Sequence, residues 1–375
     1  MKAIISKISK SLLSLLLVCS TFYASVFTLT KDVSAAGNEV EKEDSYTQYV
    51  DPFVCTDVDY GQLFPGSVVP NGLVKLSPDT YPHNTLDHAG YDYSKLQIQG
   101  FSHTRVEGVG GQGAGGDVLV TPTYVQYTKR PEAASRAMSY TKEDESAKPG
   151  YYSVALTPNK GNDSDVSKDN GKIKAELTSD IRTGYHRYTF PNKGRANILV
   201  DLNYTYHGTD VRNAILDVLE ESSKTTALGG RFSGKNVSGY GKYTLYFYME
   251  TSKPATLVKT WNGSTLSSEK SQKGNDLGAV LSFDVEKNEQ IEVKVSISTI
   301  SVEQAKIDMH NEVPGWNCFE EVYKKADTAW NSVLGKVRIE NSSESDPTGE
   351  LKQLPAGPLL LPQTKVFLLL WHVSP

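Results

Sequence analysis

Between Val118 and Thr299 the chain is a succession of short apolar or alternating runs separated by polar turns, with no segment of helical period among them. No other feature restricts the fold as strongly. Tyr185-His-Arg-Tyr-Thr-Phe190 alternates as a strand with one buried face does, whereas Ala196-Asn-Ile-Leu-Val-Asp-Leu202 is more continuously apolar, as for a strand covered on both faces. Tyr151 to Thr157, Tyr243 to Met249, Ala279 to Val285 and Ile291 to Thr299 continue the pattern at sandwich-like spacing. Parallel strands need long, usually helical, crossovers, and none is present, so the sheets are expected to be largely antiparallel. The expected fold class is mainly β, an antiparallel β-sandwich.

After Ser301 the period changes. Val302 to Asn311 reads as one helix and Trp316 to Leu334 as a second, with Phe319, Val322, Tyr323, Ala326, Trp330, Val333 and Leu334 at i, i+3, i+4 and i+7 spacing. One face of the second helix therefore needs a partner, and its aromatic stripe reads as packing surface rather than a cofactor box. Left uncovered, such a face predicts association or aggregation.

The stretch that looks functional is Gly90 to Pro122. It sets Phe101, Ser102, His103, Thr104, Arg105 and Glu107 beside glycines at 108, 110, 111, 113, 115 and 116. So much glycine gives up backbone entropy, which is tolerable where the chain needs positive φ or must let another group come close. A phosphate loop is excluded, because no GxxxxGK[ST] occurs and the glycines precede a strand where a nucleotide fingerprint precedes a helix. His103 and Glu107 have the spacing of a zinc pair on a helix, but the glycines argue against a helix there. A lone His beside an aromatic is as readily a structural residue as a catalytic one. Asp57 and Asp59 could offer oxygens to calcium, yet no complete calcium loop follows, and a solvated acidic turn accounts for them better.

Composition narrows the class. The 375 residues allow one large or two ordinary domains, and 21 Tyr favour sheet over helix. A mildly acidic, Tyr-rich chain with net charge −5 and no basic stripe with interleaved aromatics disfavours nucleic acid and suits sugars. Residues 1–36 read as an export signal, with Lys2, Lys7 and Lys10 before the apolar run Leu12 to Val18 and small residues at Val33-Ser-Ala-Ala36. An uncleaved anchor is the alternative. The product is expected to be secreted or held at the cell surface. Residues 37–48 form a charged lead-in expected to be mobile, and Asn159 to Gly171 a polar surface loop. Cys55 and Cys318, the cysteines left after cleavage, are expected to be buried or free thiols rather than a bridge. The segment 341–375 departs in composition from the rest, with Pro355, Pro358, Pro362 and Pro375 interrupting leucine runs, and is expected to be an aberrant tail from a frameshift or premature end near Glu350.

Taken together, VDPF (50–53), FPGSVVPNGLVKLSPDT (64–80), AGYDYS (89–94), IQGFSHTRVEGVG (98–110), GGDVLVTP (115–122), KPGYYSVAL (148–156), IKAELTSDIRTGYHRYTFP (173–191), SKP (252–254) and the helix VPGWNCFEEVYKKADTAWNSVLGKVRIE (313–340) resemble glycoside hydrolase family 92, the exported calcium-dependent α-mannosidases. The resemblance runs from about Tyr49 to about Ile339. It implies a galactose-mutarotase-like supersandwich over 49–300 and a helical linker over 301–340, followed in the family by an (α/α)6 barrel that this chain would lack. It implies an inverting mechanism in which one carboxylic acid protonates the leaving oxygen and a second carboxylate activates water. Both carboxylates and most ligands of the Ca2+ cofactor are expected in the barrel, so no catalytic residue and no metal ligand is assigned to this chain, and the chain alone is expected to be inactive.

What the resemblance leaves to the sandwich is one wall of the sugar site. The substrate-binding candidates are Ser102, His103, Thr104, Arg105, Glu107, Gly108 and Gly110 in one loop, and Asp57 and Asp59 in another. Both loops depart from the family pattern: a second His usually stands where Arg105 is, and a Gly/His-rich segment where this chain has CTDVDYGQLFPG (55–66). The implied partners are mannose-bearing glycans, an α-1,2 linkage being the expected type, and the barrel domain. Two rival readings are a self-standing carbohydrate-binding module and a complete enzyme with its acid and base among Asp57, Asp59, Glu107 and Asp117.

Overall fold

The computed structural model describes residues 45–57, 63–82, 89–105, 115–158, 171–205, 212–235 and 242–336. The expected signal, most of the lead-in, the polar loop at 159–170 and the tail lie outside them, as do Asp59, Glu107, Gly108 and Gly110.

Two antiparallel sheets make the body of the protein. In chain order the strands are β1 (Ser77–Thr80), β2 (Gln97–Ser102), β3 (Leu119–Thr123), β4 (Met138–Ser139), β5 (Glu145–Lys148), β6 (Tyr151–Leu156), β7 (Ile173–Ser179), β8 (Thr183–Phe190) and β9 (Gly194–Asp201). They continue as β10 (Arg212–Glu221), β11 (Thr226–Lys235), β12 (Lys242–Thr251), β13 (Leu257–Asn262), β14 (Thr265–Ser267), β15 (Ser271–Gly274), β16 (Leu277–Val285) and β17 (Glu289–Ser298). One sheet runs β1-β2-β3-β9-β16-β13-β14 with β4 beside β2, and the other β15-β10-β11-β12-β17-β8-β7-β6-β5. The short helix α1 (Ala133–Arg136) lies on the way, and α2 (Val302–Glu312) and α3 (Phe319–Leu334) close the described chain.

The core lies between the sheets and is built by period-2 alternation. Ala196, Ile198 and Val200 of β9 and Ala279, Leu281 and Phe283 of β16 meet Tyr188 and Phe190 of β8, Phe247 and Met249 of β12, and Val293, Val295 and Ile297 of β17. Each of the larger aliphatic and Phe side chains contributes about 1.5–3 kcal/mol on leaving water. The doubly covered reading of β9 holds: Leu199 points the other way and packs with Trp261 and Val280 under Tyr127. The strands that alternate least clearly are β10 and β11. Their pairing shifts register between Arg212 and Ile215 and again between Val218 and Glu220, and Gly229 and Gly230 interrupt the run of side chains.

Most of the stripe on α3 finds the partner it needs in the sandwich itself: Phe319, Val322, Ala326 and Trp330 are buried, while Tyr323, Val333 and Leu334 are half-buried. Phe319 and Val322 pack with Tyr185 and Val313, flanked by Tyr151 and Trp316, while Trp330 joins Phe64, Val68 and Ala89. Ala326 lies over Gly150, where a Cβ would come within 2.6 Å of the Ala326 Cβ and where φ is +78°. Trp330 Nε1–H donates to the Val68 carbonyl at 2.6 Å, and the Arg187 guanidinium covers the Phe319 ring at 4.2 Å. Lys325 pairs with Asp180, and the turn Tyr46–Tyr49 is tied on through Thr47 Oγ1–H to Asp327 at 2.7 Å. The turn between the helices rests on β17: Lys294 Nζ lies 4.0 Å from the Trp316 ring and donates to the Val313 carbonyl, and Glu292 accepts from the Asn317 N–H and the Tyr185 hydroxyl. Helix α2 starts on Ser301, whose hydroxyl accepts the Gln304 N–H, and buries Ala305 and Met309 against Ala227 and Tyr248. Cys55 and Cys318 are both free thiols, the first exposed.

Candidate functional site

Three side chains in a row leave β2 and its continuation in different directions. Arg105 turns inward. Its Nε donates to the Lys75 carbonyl, Nη1 to Ala89 O at 2.6 Å and Asp79 Oδ1 at 3.2 Å, and Nη2 to Ser77 O, Ser102 O and Ser102 Oγ. The guanidinium also lies 5.3 Å from the Phe64 ring. All of its N–H groups are spent in the interior, where arginine's rigid fork suits a carboxylate and several carbonyls at once. Asp79 accepts the Ser102 N–H at 2.9 Å as well, so one buried carboxylate holds both strand and cation.

His103 also turns inward. Its Nδ1 is 2.7 Å from Val118 O, its Nε2 is 3.0 Å from Nε2 of His186, and His186 Nδ1 is 2.7 Å from the Tyr188 hydroxyl. A carbonyl can only accept, which fixes every proton in the row. His103 donates from Nδ1 and accepts at Nε2, His186 donates from Nε2 and accepts at Nδ1, and Tyr188 donates. Burial pushes the His103 pKa down to about 3, and His186 falls well below the usual range through burial and its His103 neighbour. Both rings are neutral at ordinary pH.

Thr104, half-buried, is held by Asp117. Thr104 Oγ1–H donates to Asp117 Oδ2 at 2.6 Å, and the Asp117 N–H returns to Thr104 Oγ1 at 3.1 Å. The Tyr243 hydroxyl of β12 donates to both Asp117 oxygens at 3.2 Å. Burial raises the Asp117 pKa to about 6 against the lowering effect of its two hydroxyl donors. The return chain is unusual: Gly115 and Gly116 have φ of +118° and +91°, and Val118, a β-branched residue, has φ +54°.

The other candidate segment starts beside a cluster of tyrosines. Thr56 is buried, its carbonyl accepts the Tyr93 N–H at 2.8 Å, and Asp57 is exposed. Lys142 stands 4.1 Å from the Tyr93 ring and donates to Tyr91, Tyr140 and Glu145. Asp57 acts on the Lys142 charge, although burial outweighs it and lowers the Lys142 pKa. The segment that leaves at Asp57 returns at Leu63, and its next residue, Phe64, is the ring beneath Arg105. Both candidate segments therefore rise from one base.

Of the residues expected to face a ligand, Ser102, His103 and Arg105 face the interior instead, at 0%, 0% and 4% exposure. Thr104 and Asp57 are the described candidates that reach the surface. Sequence reasoning missed Asp79, His186, Tyr188 and Tyr243. The available signal was parity: on β8 a histidine at an inward position, between outward Tyr185 and Arg187, needs a buried partner. Among the described residues no group of three or more His, Cys, Asp or Glu side chains could hold a metal ion.

Comparison with known proteins places this geometry. The model of the glycosyl hydrolase family 92 N-terminal domain matches residues 49–298. Among solved structures, the GH92 family glycosyl hydrolase ccman5 is 39% identical, with a TM-score of 0.74 over 81% of this chain and 39% of its own. The family GH92 α-mannosidase BT3965 from Bacteroides thetaiotaomicron, solved with mannoimidazole, is 29% identical, with a TM-score of 0.67 over 79% of this chain and 38% of its own. An uncharacterized secreted glycosidase of Arthroderma benhamiae is 25% identical over 348 residues, 86% of this chain and 42% of the relative. The chain thus spans about two fifths of the length of these relatives. With its matched region coinciding with the sandwich, the chain belongs to glycosyl hydrolase family 92 and carries that family's N-terminal domain.

Proposed function

We propose that the sandwich forms one wall of the sugar site of an exported, inverting, calcium-dependent α-mannosidase that removes mannose, of α-1,2 type, from glycans such as N-glycans. The observation that carries this reading is the shared base of the two candidate segments, joined where Phe64 packs on Arg105. Thr104 and Asp57 are the described contacts offered to a sugar, and Asp59, Glu107, Gly108 and Gly110 belong to the proposal by sequence. The acid, the base and the calcium ligands are assigned by the proposal to a partner (α/α)6 domain, and the chain alone is inactive on this reading. Asp117 supports that assignment: its carboxyl is 2% exposed and engaged by two hydroxyls, which leaves it no path to a glycosidic oxygen. Export rests on residues 1–36; among the described residues no helix is long and apolar enough to cross a membrane.

The test is hydrolysis of an α-mannobiose panel with calcium present, by this chain and by a version extended into an intact barrel from a relative. Activity in the extended protein alone is expected; activity in the short chain would sink the assignment. A second reading, a self-standing carbohydrate-binding module, is favoured by the burial of most of the α3 stripe within the sandwich, which lessens the need for another domain to cover it. Micromolar binding of mannobiose by a chain that gains no activity on extension would select it.

A further inference from the structure

Resting on that reading, we infer that Asp117 is a positioning residue: its buried carboxylate ties the stem at Thr104, a described contact offered to a sugar, to Tyr243 on the opposite sheet, and so fixes where Thr104 stands.

The stem is two short antiparallel stretches that meet at the Arg105–Gly115 bridge. Within it the links are local: His103 N–H to Asp117 O at 3.0 Å and Gly116 N–H to Thr104 O at 2.8 Å. Those bonds pair the stem with itself, while the bond from the Lys75 N–H to the His103 carbonyl and the Arg105 fork hold it to the chain around β1. Beside the His103–His186 bond, the Asp117 carboxylate adds a second link to the other layer, since Tyr243 belongs to β12 there and packs its ring against the core. Thr104 and Tyr243 thus converge on one carboxylate from two sheets. The backbone turns sharply at the same place, with Val118 held at φ +54° between Asp117 and β3. Such a conformation in a β-branched residue costs on the order of 1–3 kcal/mol and persists where the surroundings over-determine it. His103 holds Val118 from both sides, its ring Nδ1–H donating to the Val118 carbonyl and its backbone N–H to the carbonyl of the preceding Asp117.

Stability alone does not account for an acid here. Two neutral hydroxyls satisfy it, no cation does so among its hydrogen-bond partners, and burial works against its charge. A carboxylate does offer what an apolar residue cannot, acceptors for donors arriving from two directions.

The test uses the 375-residue chain with Asp117→Ala, Asp117→Asn and Tyr243→Phe. Amide exchange is read at Gly116 and His103, and affinity is read with methyl α-mannoside and α-1,2-mannobiose. Asp117→Ala is expected to speed exchange at both amides and to weaken sugar binding by about tenfold or more, with β6 to β8 amides unchanged and with Asp117→Asn within about threefold of the parent. Tyr243→Phe keeps the ring and loses the cross-sheet bond, so it should fall between the two, and it carries the test should Asp117→Ala fail to fold. Unaltered exchange in Tyr243→Phe overturns the inference, as does faster exchange with unaltered affinity. Should the parent chain bind neither sugar, affinity and activity are read in the barrel-extended protein: faster exchange with unaltered affinity and activity there overturns the inference, whereas an inactive extended parent sinks the proposed function.

Discussion

His103 Nε2 and His186 Nε2 stand 3.0 Å apart in the sealed interior of the sandwich, one from each sheet, with Val118 and Tyr188 completing the row. Each ring nitrogen is matched to one partner whose own role depends on the next, so the row should respond as a unit. Tyr188→Phe removes one donor and is expected to cost about 1–3 kcal/mol, while His186→Leu strands groups at both ends and costs more. Urea unfolding of the two variants measures the difference, and equal losses would show that the row is not coupled.

The same pair makes stability fall in acid. His103 binds its proton in the unfolded chain near its ordinary value of 6.5 and in the folded chain only near 3. Between those limits the unfolded state holds more protons, so stability declines as pH falls from 6.5, by about 1.4 kcal/mol per unit at most. His186 acts in the same direction. A His103→Gln variant should show a flatter decline over this window, read as denaturation midpoints from pH 7 to pH 4.

Asp117 carries the opposite sign. Its folded pKa near 6 lies above its ordinary 3.8, so its contribution is fullest below 3.8 and is lost as pH rises through 6. The loss approaches about 3 kcal/mol across those two units. Asp117→Asn, which titrates at neither end, is expected to match the parent at pH 4 and to exceed it in stability at pH 8. A parent that gains stability on the Asn variant over that rise would refute the shift.

Arg105 and Asp79 are a sealed ion pair with side chains at 0% exposure. Arg105→Met takes the guanidinium away from the buried Asp79 carboxylate and should cost about 3–5 kcal/mol. Arg105→Lys should recover little of it, because an ammonium cannot reach the Lys75, Ser77 and Ala89 carbonyls together. Full recovery by Lys, measured by thermal melts, would mean that charge alone matters there.

Trp330 joins helix α3 to the sandwich through Phe64, Val68 and Ala89 and through its bond to the Val68 carbonyl. Trp330→Ala is expected to cost about 3–5 kcal/mol and to release the end of the helix. The released stripe should then bind hydrophobic dye, which the parent chain should not. A parent that already binds the dye strongly would contradict the docking described above.

Much of this architecture was legible in residue order. The strands β6, β8, β9, β12, β16 and β17 and the helix α2 declare themselves by period, because a side chain's face depends only on its parity or on a 3.6-residue turn. Helix α3 begins three residues later than its apolar pattern, since Asn317 takes φ +58° and Cys318 is not yet helical. The strands β10 and β11 were hidden by bulges, which break parity without breaking the sheet. The candidate site was legible as a location, in the crowding of polar residues with glycines after β2, but not as an arrangement.

Sequence by itself determined the two-sheet class, the helical ending and, through many collinear motifs, the family. Tertiary structure alone decided which of three consecutive polar residues meets solvent. His103 and Arg105 are drawn inward because His186 from β8 and Asp79 from β1 wait there, and only folding brings those partners within hydrogen-bond reach. Thr104, with an equally polar side chain, stays at the surface because its partner Asp117 sits at the sheet's end. The energy of burying a polar group depends on what it finds when it arrives, and that is a property of distant strands rather than of neighbours in the chain.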